Sequence, residues 1–147
     1  MASKYEDFTE LIMASYRAIQ KIKASGMKKM HLKAADVNCI YYLSKYPKGL
    51  SNAGLADLAG VDKAAISRTI NSLMSNGYVT LSAEDTQKKY GRRYVLNDSG
   101  KAVADRINRQ VESVVKEVGK DISKEESTAF YKTFHSITNS LESLSNE

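Results

Sequence analysis

Apolar residues recur at steps of three and four along most of this chain, and the rhythm changes once. Phe8, Leu11, Ile12, Tyr16, Ile19 and Ile22 share one face of a helix, which predicts α-helix over about 4–24, ended by Gly26. A second helix is predicted over 34–46, with Val37, Ile40, Tyr41 and Leu43 as its apolar members. It stops before Pro47, because the residue ahead of a proline avoids helical angles. Ser51 is a natural N-cap for a short helix over 52–59, which Gly60 closes. Asp62 caps the next helix, 63–75, whose inward residues are Ala65, Ile66, Thr69, Ile70 and Leu73, and Gly77 suits the left-handed residue that ends it. Residues 78–81 and 93–96, YVTL and RYVL, are instead β-branched and aromatic, and read as the two strands of a hairpin with a long polar tip. Helical spacing then resumes. Val103, Ile107, Val111, Val114 and Val118 predict a helix over 99–119, broken by Gly119 and Asp121. Phe130, Phe134, Ile137, Leu141 and Leu144 predict another over 123–144, and their alternating steps of four and three are those of a packing seam. The expected fold is mainly α with a small β-hairpin.

A short helix, a turn at Gly60-Val61-Asp62 and a second helix make a helix-turn-helix. Ala53, Ala56 and Ala59 are small enough to let the first of the pair approach its neighbour closely. With Ile66, Ile70 and Leu73 turned inward, the second presents Lys63, Ala64, Ser67, Arg68 and Asn71 outward. A helix that enters a DNA major groove needs such a face: short side chains for close approach, donors for base edges, and cations for phosphate. The hairpin that follows carries Lys88, Lys89, Arg92 and Arg93 at its tip, in the order of a winged helix-turn-helix. Cations on a wing can reach the neighbouring phosphates or the minor groove.

Charge sharpens the picture. The chain carries +5 at neutral pH, unevenly distributed. Residues 62–93 hold six cations against three carboxylates, whereas residues 121–147 hold two against five. A polyanion partner is therefore expected for the middle of the chain and not for its end. The 147 residues suffice for one domain with a core, and no apolar run approaches the ~18 residues of a membrane span. The acidic, discontinuous N-terminal stretch lacks the pattern of a secretory signal, so a cytoplasmic location is expected.

The run LADLAGVDKAAISRTINSLMSNGYVTL, followed by RRYVLNDSGKAV, resembles the MarR family of winged-helix regulators, and the resemblance spans nearly the whole chain. It implies three parts: an N-terminal dimerisation helix and loop (1–33), a winged helix-turn-helix DNA-binding domain (34–97) and C-terminal dimerisation helices (98–147). It also implies a homodimer with intertwined terminal helices, bound to a pseudo-palindromic operator on double-stranded DNA, most often as a transcriptional repressor. The helix over 63–75 would then lie in a major groove. Ser51 and Asn52, at the start of the preceding helix, would meet phosphate. One departure concerns the wing. Counting back from Leu96, the places where the family sets an Asp-x-Arg brace hold Lys88 and Tyr90, so the brace is expected to be missing, with Lys88, Lys89, Arg92 or Arg93 serving as cationic contacts instead. The threonine of the family's motif after the wing is Asn97.

Four tyrosines, Tyr16, Tyr41, Tyr42 and Tyr46, come from the first two helices, near where relatives in that family hold a small effector. Rings with polar tips suit an aromatic or amphipathic molecule, and equally suit an ordinary core. The single cysteine, Cys39, excludes an internal disulfide, and its apolar neighbours point to a buried thiol rather than a redox sensor. His31 and His135 lack ligand spacing, so neither a metal nor a cofactor is expected. No nucleophile, phosphate loop or carboxylate pair suggests an enzyme. The competing function is a winged-helix interaction module docking an acidic protein. Against it, the outward face of the 63–75 helix lacks the large aromatic or leucine anchors that protein interfaces favour.

Overall fold

The computed structural model describes residues 3–147, with helices α1 (Lys4–Met27), α2 (Ala34–Lys45), α3 (Asn52–Ala59), α4 (Lys63–Ser75), α5 (Asp98–Gly119) and α6 (Lys124–Ser145). Strands β1 (Leu50–Ser51), β2 (Val79–Leu81) and β3 (Arg93–Leu96) form one antiparallel sheet in the order β1-β3-β2. Two units are distinguished, residues 3–111 and 112–147, with the boundary inside α5.

In the first unit the core is built from α2, α3, α4, the sheet and the first half of α5. Val37, Ile40 and Leu43 of α2 meet Leu55 of α3, Ile66, Ile70 and Leu73 of α4, and Val103 and Ile107 of α5, all of them buried. Each fully buried side chain of this size contributes roughly 1.5–3 kcal/mol of transfer free energy. Cys39 belongs to this core at 1% exposure, and burial first, then the Asp36 carboxylate, pushes its thiol up to about 12. The buried thiol therefore matches the sequence reading.

Several local expectations change. Helix α1 does not end at Gly26 but continues to Met27. The space a Cβ would fill at Gly26 is occupied by the Gln110 amide, which donates to the Ile22 carbonyl at 2.8 Å, so this glycine serves packing rather than termination. Ala53 is exposed, and Leu55 and Ala56 carry the burial of α3. The sheet has three strands, because Leu50 and Ser51 pair with Tyr94 and Arg93. Gly60 and Gly77 both take left-handed angles (φ 66° and 80°), as the turn after α3 and the end of α4 require.

Asn97, which stands where the resembled motif has threonine, makes two side-chain hydrogen bonds. Its Oδ1 accepts from Gly100 N–H at 2.9 Å, capping α5, while its Nδ2 donates to the Gly77 carbonyl at 2.7 Å. Gly100 itself lies so close to the Tyr78 carbonyl that a Cβ would collide with it. The start of α5 is thereby locked to the junction between α4 and β2.

In the second unit, α6 opens on a capping box. Glu126 N–H donates to Ser123 Oγ at 3.1 Å, and Ser123 N–H donates to Glu126 Oε2 at 2.9 Å. Phe130 stacks on Phe134 with ring centroids 5.5 Å apart. Phe130, Ile137, Leu141 and Leu144 remain exposed, as do Val115 and Val118 in the last turns of α5.

Candidate nucleic-acid interface

Helix α4 is fixed at its start and along its inner side. Asp62 accepts the Ala65 N–H at 2.7 Å, and Ile66, Ile70 and Leu73 are buried. At 3.6 residues per turn, Ala64, Ser67, Arg68 and Asn71 then fall within roughly 100° of arc on the opposite side. Lys63, Ala64, Arg68 and Asn71 are exposed, and Ser67 is half-buried. The structure thus gathers Ala64, Ser67, Arg68 and Asn71 into one ridge, with Ser67 lower on its flank, while Lys63 stands exposed at the helix start outside that arc.

Ser51 holds α3 in place. Its hydroxyl oxygen accepts from Gly54 N–H at 3.1 Å, and its backbone pairs with Arg93 in the central strand. Asn52 is half-buried, and its Oδ1 is enclosed with no hydrogen-bond partner among the described residues. The start of α3 and the base of the wing are consequently neighbours, a juxtaposition created by β1.

The wing contradicts the expectation that its Asp–Arg brace is missing. Asp85, with a side chain at 0% exposure, accepts from the Arg93 backbone N–H at 2.7 Å and from Arg93 Nε at 2.9 Å. A terminal Arg93 nitrogen donates to its other oxygen at 3.1 Å, and Lys88 Nζ lies 3.0 Å from that same oxygen. Arg93 also pairs with Glu84 at 3.0 Å. These hydrogen bonds from Arg93, with help from Lys88, hold the Asp85 carboxyl well below the usual carboxylate range despite its burial, and Asp85 in turn raises Arg93. The arginine of this brace sits inside β3 and the aspartate in the helical turn Ala83–Asp85, so neither falls at the motif positions held by Lys88 and Tyr90. Arg93 and Lys88 are therefore structural cations first. Arg92 Nε donates to the Lys88 carbonyl, while Lys89 and Tyr90 are exposed at the tip beside Gly91.

The tyrosines split into two places. Tyr41 and Tyr42 meet edge to face at 5.5 Å, and burial first, then Tyr41 and Tyr16, raises the Tyr42 hydroxyl. Two ammonium groups lie over the Tyr41 ring, Lys23 at 5.7 Å and Lys45 at 5.0 Å from its centroid. Lys23 donates to Asn38 Oδ1 at 2.7 Å and is lowered by burial. Sequence reading missed Asn38, since only the packing of α1 on α2 brings Lys23 to it and to the Tyr41 ring. Tyr46 lies elsewhere, lining a cleft of about 350 Å³ with Pro47, Val95, Lys101, Asp105 and Asn108. Among the described residues, no group of three His, Cys, Asp or Glu side chains is placed to hold a metal ion, and no helix is long and apolar enough to cross a membrane.

A model of the IclR helix-turn-helix domain matches residues 40–82, from within α2 to the end of the first wing strand. Solved structures match over far more of the chain. A MarR protein from Peptoclostridium difficile superposes with a TM-score of 0.83, over 97% of this chain and 94% of that one, at 20% identity. The chain has the MarR fold. A MarR/EmrR family transcriptional regulator from Acinetobacter sp. ADP1 gives a TM-score of 0.81 at 17% identity, covering 97% and 99%. A MarR family transcriptional regulator from Silicibacter pomeroyi gives 0.70 at 25% identity, covering 88% and 84%. No curated protein sequence matches. The IclR segment and the MarR fold agree where they overlap, because both demand the α3–turn–α4 unit and the strand after it. The MarR fold adds the flanking α1, α5 and α6.

Proposed function

We propose that this protein is a homodimeric, sequence-specific transcriptional regulator that binds double-stranded DNA and acts as a repressor. The observation that carries the reading is the α4 ridge. Ala64, Arg68 and Asn71 stand exposed, with no large apolar side chain among them and Lys63 exposed at the helix start, on a helix clamped from behind by Ile66, Ile70 and Leu73. In this reading α4 enters a major groove, Ser67 and Asn71 read base edges, and Lys63 and Arg68 meet phosphate. Ser51 and Asn52 at the start of α3, and Lys89 and Arg92 on the wing, add backbone contacts. Lys88 and Arg93 contribute mainly by holding the wing in shape.

Residues 1–33 and 98–147 supply the dimerisation surfaces, and the two α4 ridges address half-sites about one helical turn (~34–36 Å) apart on a pseudo-palindromic operator. Tyr16, Tyr41 and Tyr42, with Lys23 and Lys45, form the place for a small aromatic or amphipathic effector. Tyr46 would join from its separate cleft. The effector acts by favouring a dimer whose ridges no longer match the half-site spacing.

Duplexes selected from a random pool, then titrated at several salt concentrations, test the reading. Arg68→Ala weakens binding to every duplex and lowers the salt slope by about 0.9 if one phosphate contact is lost. Ser67→Ala and Asn71→Ala instead shift the recovered sequence, at roughly 1–3 kcal/mol per base pair affected. Binding that ignores all three substitutions removes α4 from the interface and ends the proposal.

A further inference from the structure

The wing tip holds an aromatic side chain that its surroundings do not explain. Tyr90 is 88% exposed, between Lys89 and Gly91. Among the described residues its side chain has no hydrogen-bond, ion-pair or ring partner. The loop that carries it is braced at several points. Asp85 binds Arg93 three times and Lys88 once, Lys88 N–H donates to the Asp85 carbonyl at 3.0 Å, and Arg92 Nε donates to the Lys88 carbonyl. The brace therefore engages Lys88, Arg92 and Arg93 and leaves Lys89 and Tyr90 standing out on a fixed support. A single exposed aromatic is ordinary on a protein surface, but this one stands beside a cation at the tip of a braced wing, where anything the wing meets would touch it first.

We propose that Tyr90 is the groove-entering residue of the wing. Its ring packs between the deoxyribose walls of the minor groove beside each half-site, and its hydroxyl donates to an adenine N3 or thymine O2 acceptor. This rests on the DNA-binding reading above and assigns within it a residue that the cationic account of the wing passes over. A minor groove accepts apolar and aromatic wedges, and its floor distinguishes A·T from G·C chiefly through the guanine amino group. Tyr90 thus makes the flank of the site selective for A·T, while Lys89 supplies sequence-independent attraction to phosphate.

The experiment uses the full chain and one duplex recovered by selection from a random pool. Tyr90→Ala is expected to weaken binding roughly tenfold, in the range of an aromatic contact to one base, with the salt slope unchanged. Lys89→Ala is expected to lower the slope by about 0.9 instead. Flanking A·T pairs are then replaced by G·C or by inosine·C, which lacks the amino group in the minor groove but keeps the major-groove face of G·C. The wild type is expected to accept inosine·C as it accepts A·T and to bind the G·C flank less well, and Tyr90→Ala to treat all three alike. Tyr90→Trp adds a direct probe, since the chain has no other tryptophan: its emission is expected to be quenched on binding. If Tyr90→Ala keeps wild-type affinity and flank preference while the wild type binds DNA, the inference fails and the regulator reading survives. If the wild type recovers no duplex at all, both fail together. Because Tyr90 is exposed, unchanged thermal unfolding of its variants confirms that the comparison is between folded proteins.

Discussion

Asp85 shows how one buried carboxylate can organise a surface loop. Its oxygens take every donor that Arg93 aims at it, plus the Lys88 ammonium, and its folded-state acidity lies far below that of a free aspartate. A carboxyl whose pKa is depressed by folding contributes stability that is complete above its unfolded value and disappears as pH falls through the folded one. The wing brace is therefore intact at neutral pH and begins to weaken below about pH 4, where an unfolded aspartate starts to take up its proton. Asp85→Asn should lower the thermal unfolding midpoint at pH 7, and its deficit relative to the wild type should shrink steadily from pH 4 to pH 2. A deficit that stays constant across that range would show that the charge of Asp85 is irrelevant to the brace. The same residue marks a limit of reading by spacing. Asp85 and Arg93 are eight positions apart, and only the folded path of the loop brings them to 2.9 Å. Cys39, by contrast, was legible, because a thiol flanked by Val37, Ile40 and Leu43 on a helix has little alternative to the core.

At the level of elements, most of the fold follows from period and caps. The helices begin and end within a few residues of where their apolar steps and Ser, Asp and Gly signals place them. Two features carried no such signal. Strand β1 is only two residues long and exists because Leu50 and Ser51 meet the free edge of β3. The packing of Gly26 against the Gln110 amide joins positions 84 residues apart. The junction of wing and α5 was visible as a motif, but its reason was not. Gly100 is needed for contact with the Tyr78 carbonyl rather than for any unusual backbone angle. Gly100→Ala should therefore destabilise the protein by about 1–3 kcal/mol, the usual cost of forcing a methyl into a packed site. Urea unfolding measures this directly, and a neutral result would mean that the start of α5 can shift freely against β2.

At the scale of the whole molecule, both units expose apolar helix faces. Leu11, Ile12, Tyr16 and Ile19 lie open on α1, and Phe130, Ile137, Leu141 and Leu144 on α6. Faces of this kind, repeated in order along two helices, are what a self-associating protein presents before it pairs. We expect light scattering behind size exclusion to give twice the 16.3 kDa chain mass at micromolar concentration. Ile12→Glu combined with Leu141→Glu should shift the population toward monomer and weaken duplex binding in parallel. A wild-type monomer at those concentrations would refute the paired-ridge arrangement.

The amino-acid sequence by itself determined the helix-turn-helix, the wing and the outward ridge of α4. Those features are local: a period of 3.6 against one of 2, a cap three residues from its amide, and a core stripe whose opposite side must face out. Tertiary structure alone decided which wing cations are spent on Asp85, which tyrosines share a neighbourhood with Lys23 and Lys45, and why Tyr90 is left at the tip. The Asp85–Arg93 brace and the Lys23–Tyr41 contact join groups eight and eighteen positions apart, and pair distances of that kind are set by packing rather than by spacing along the sequence.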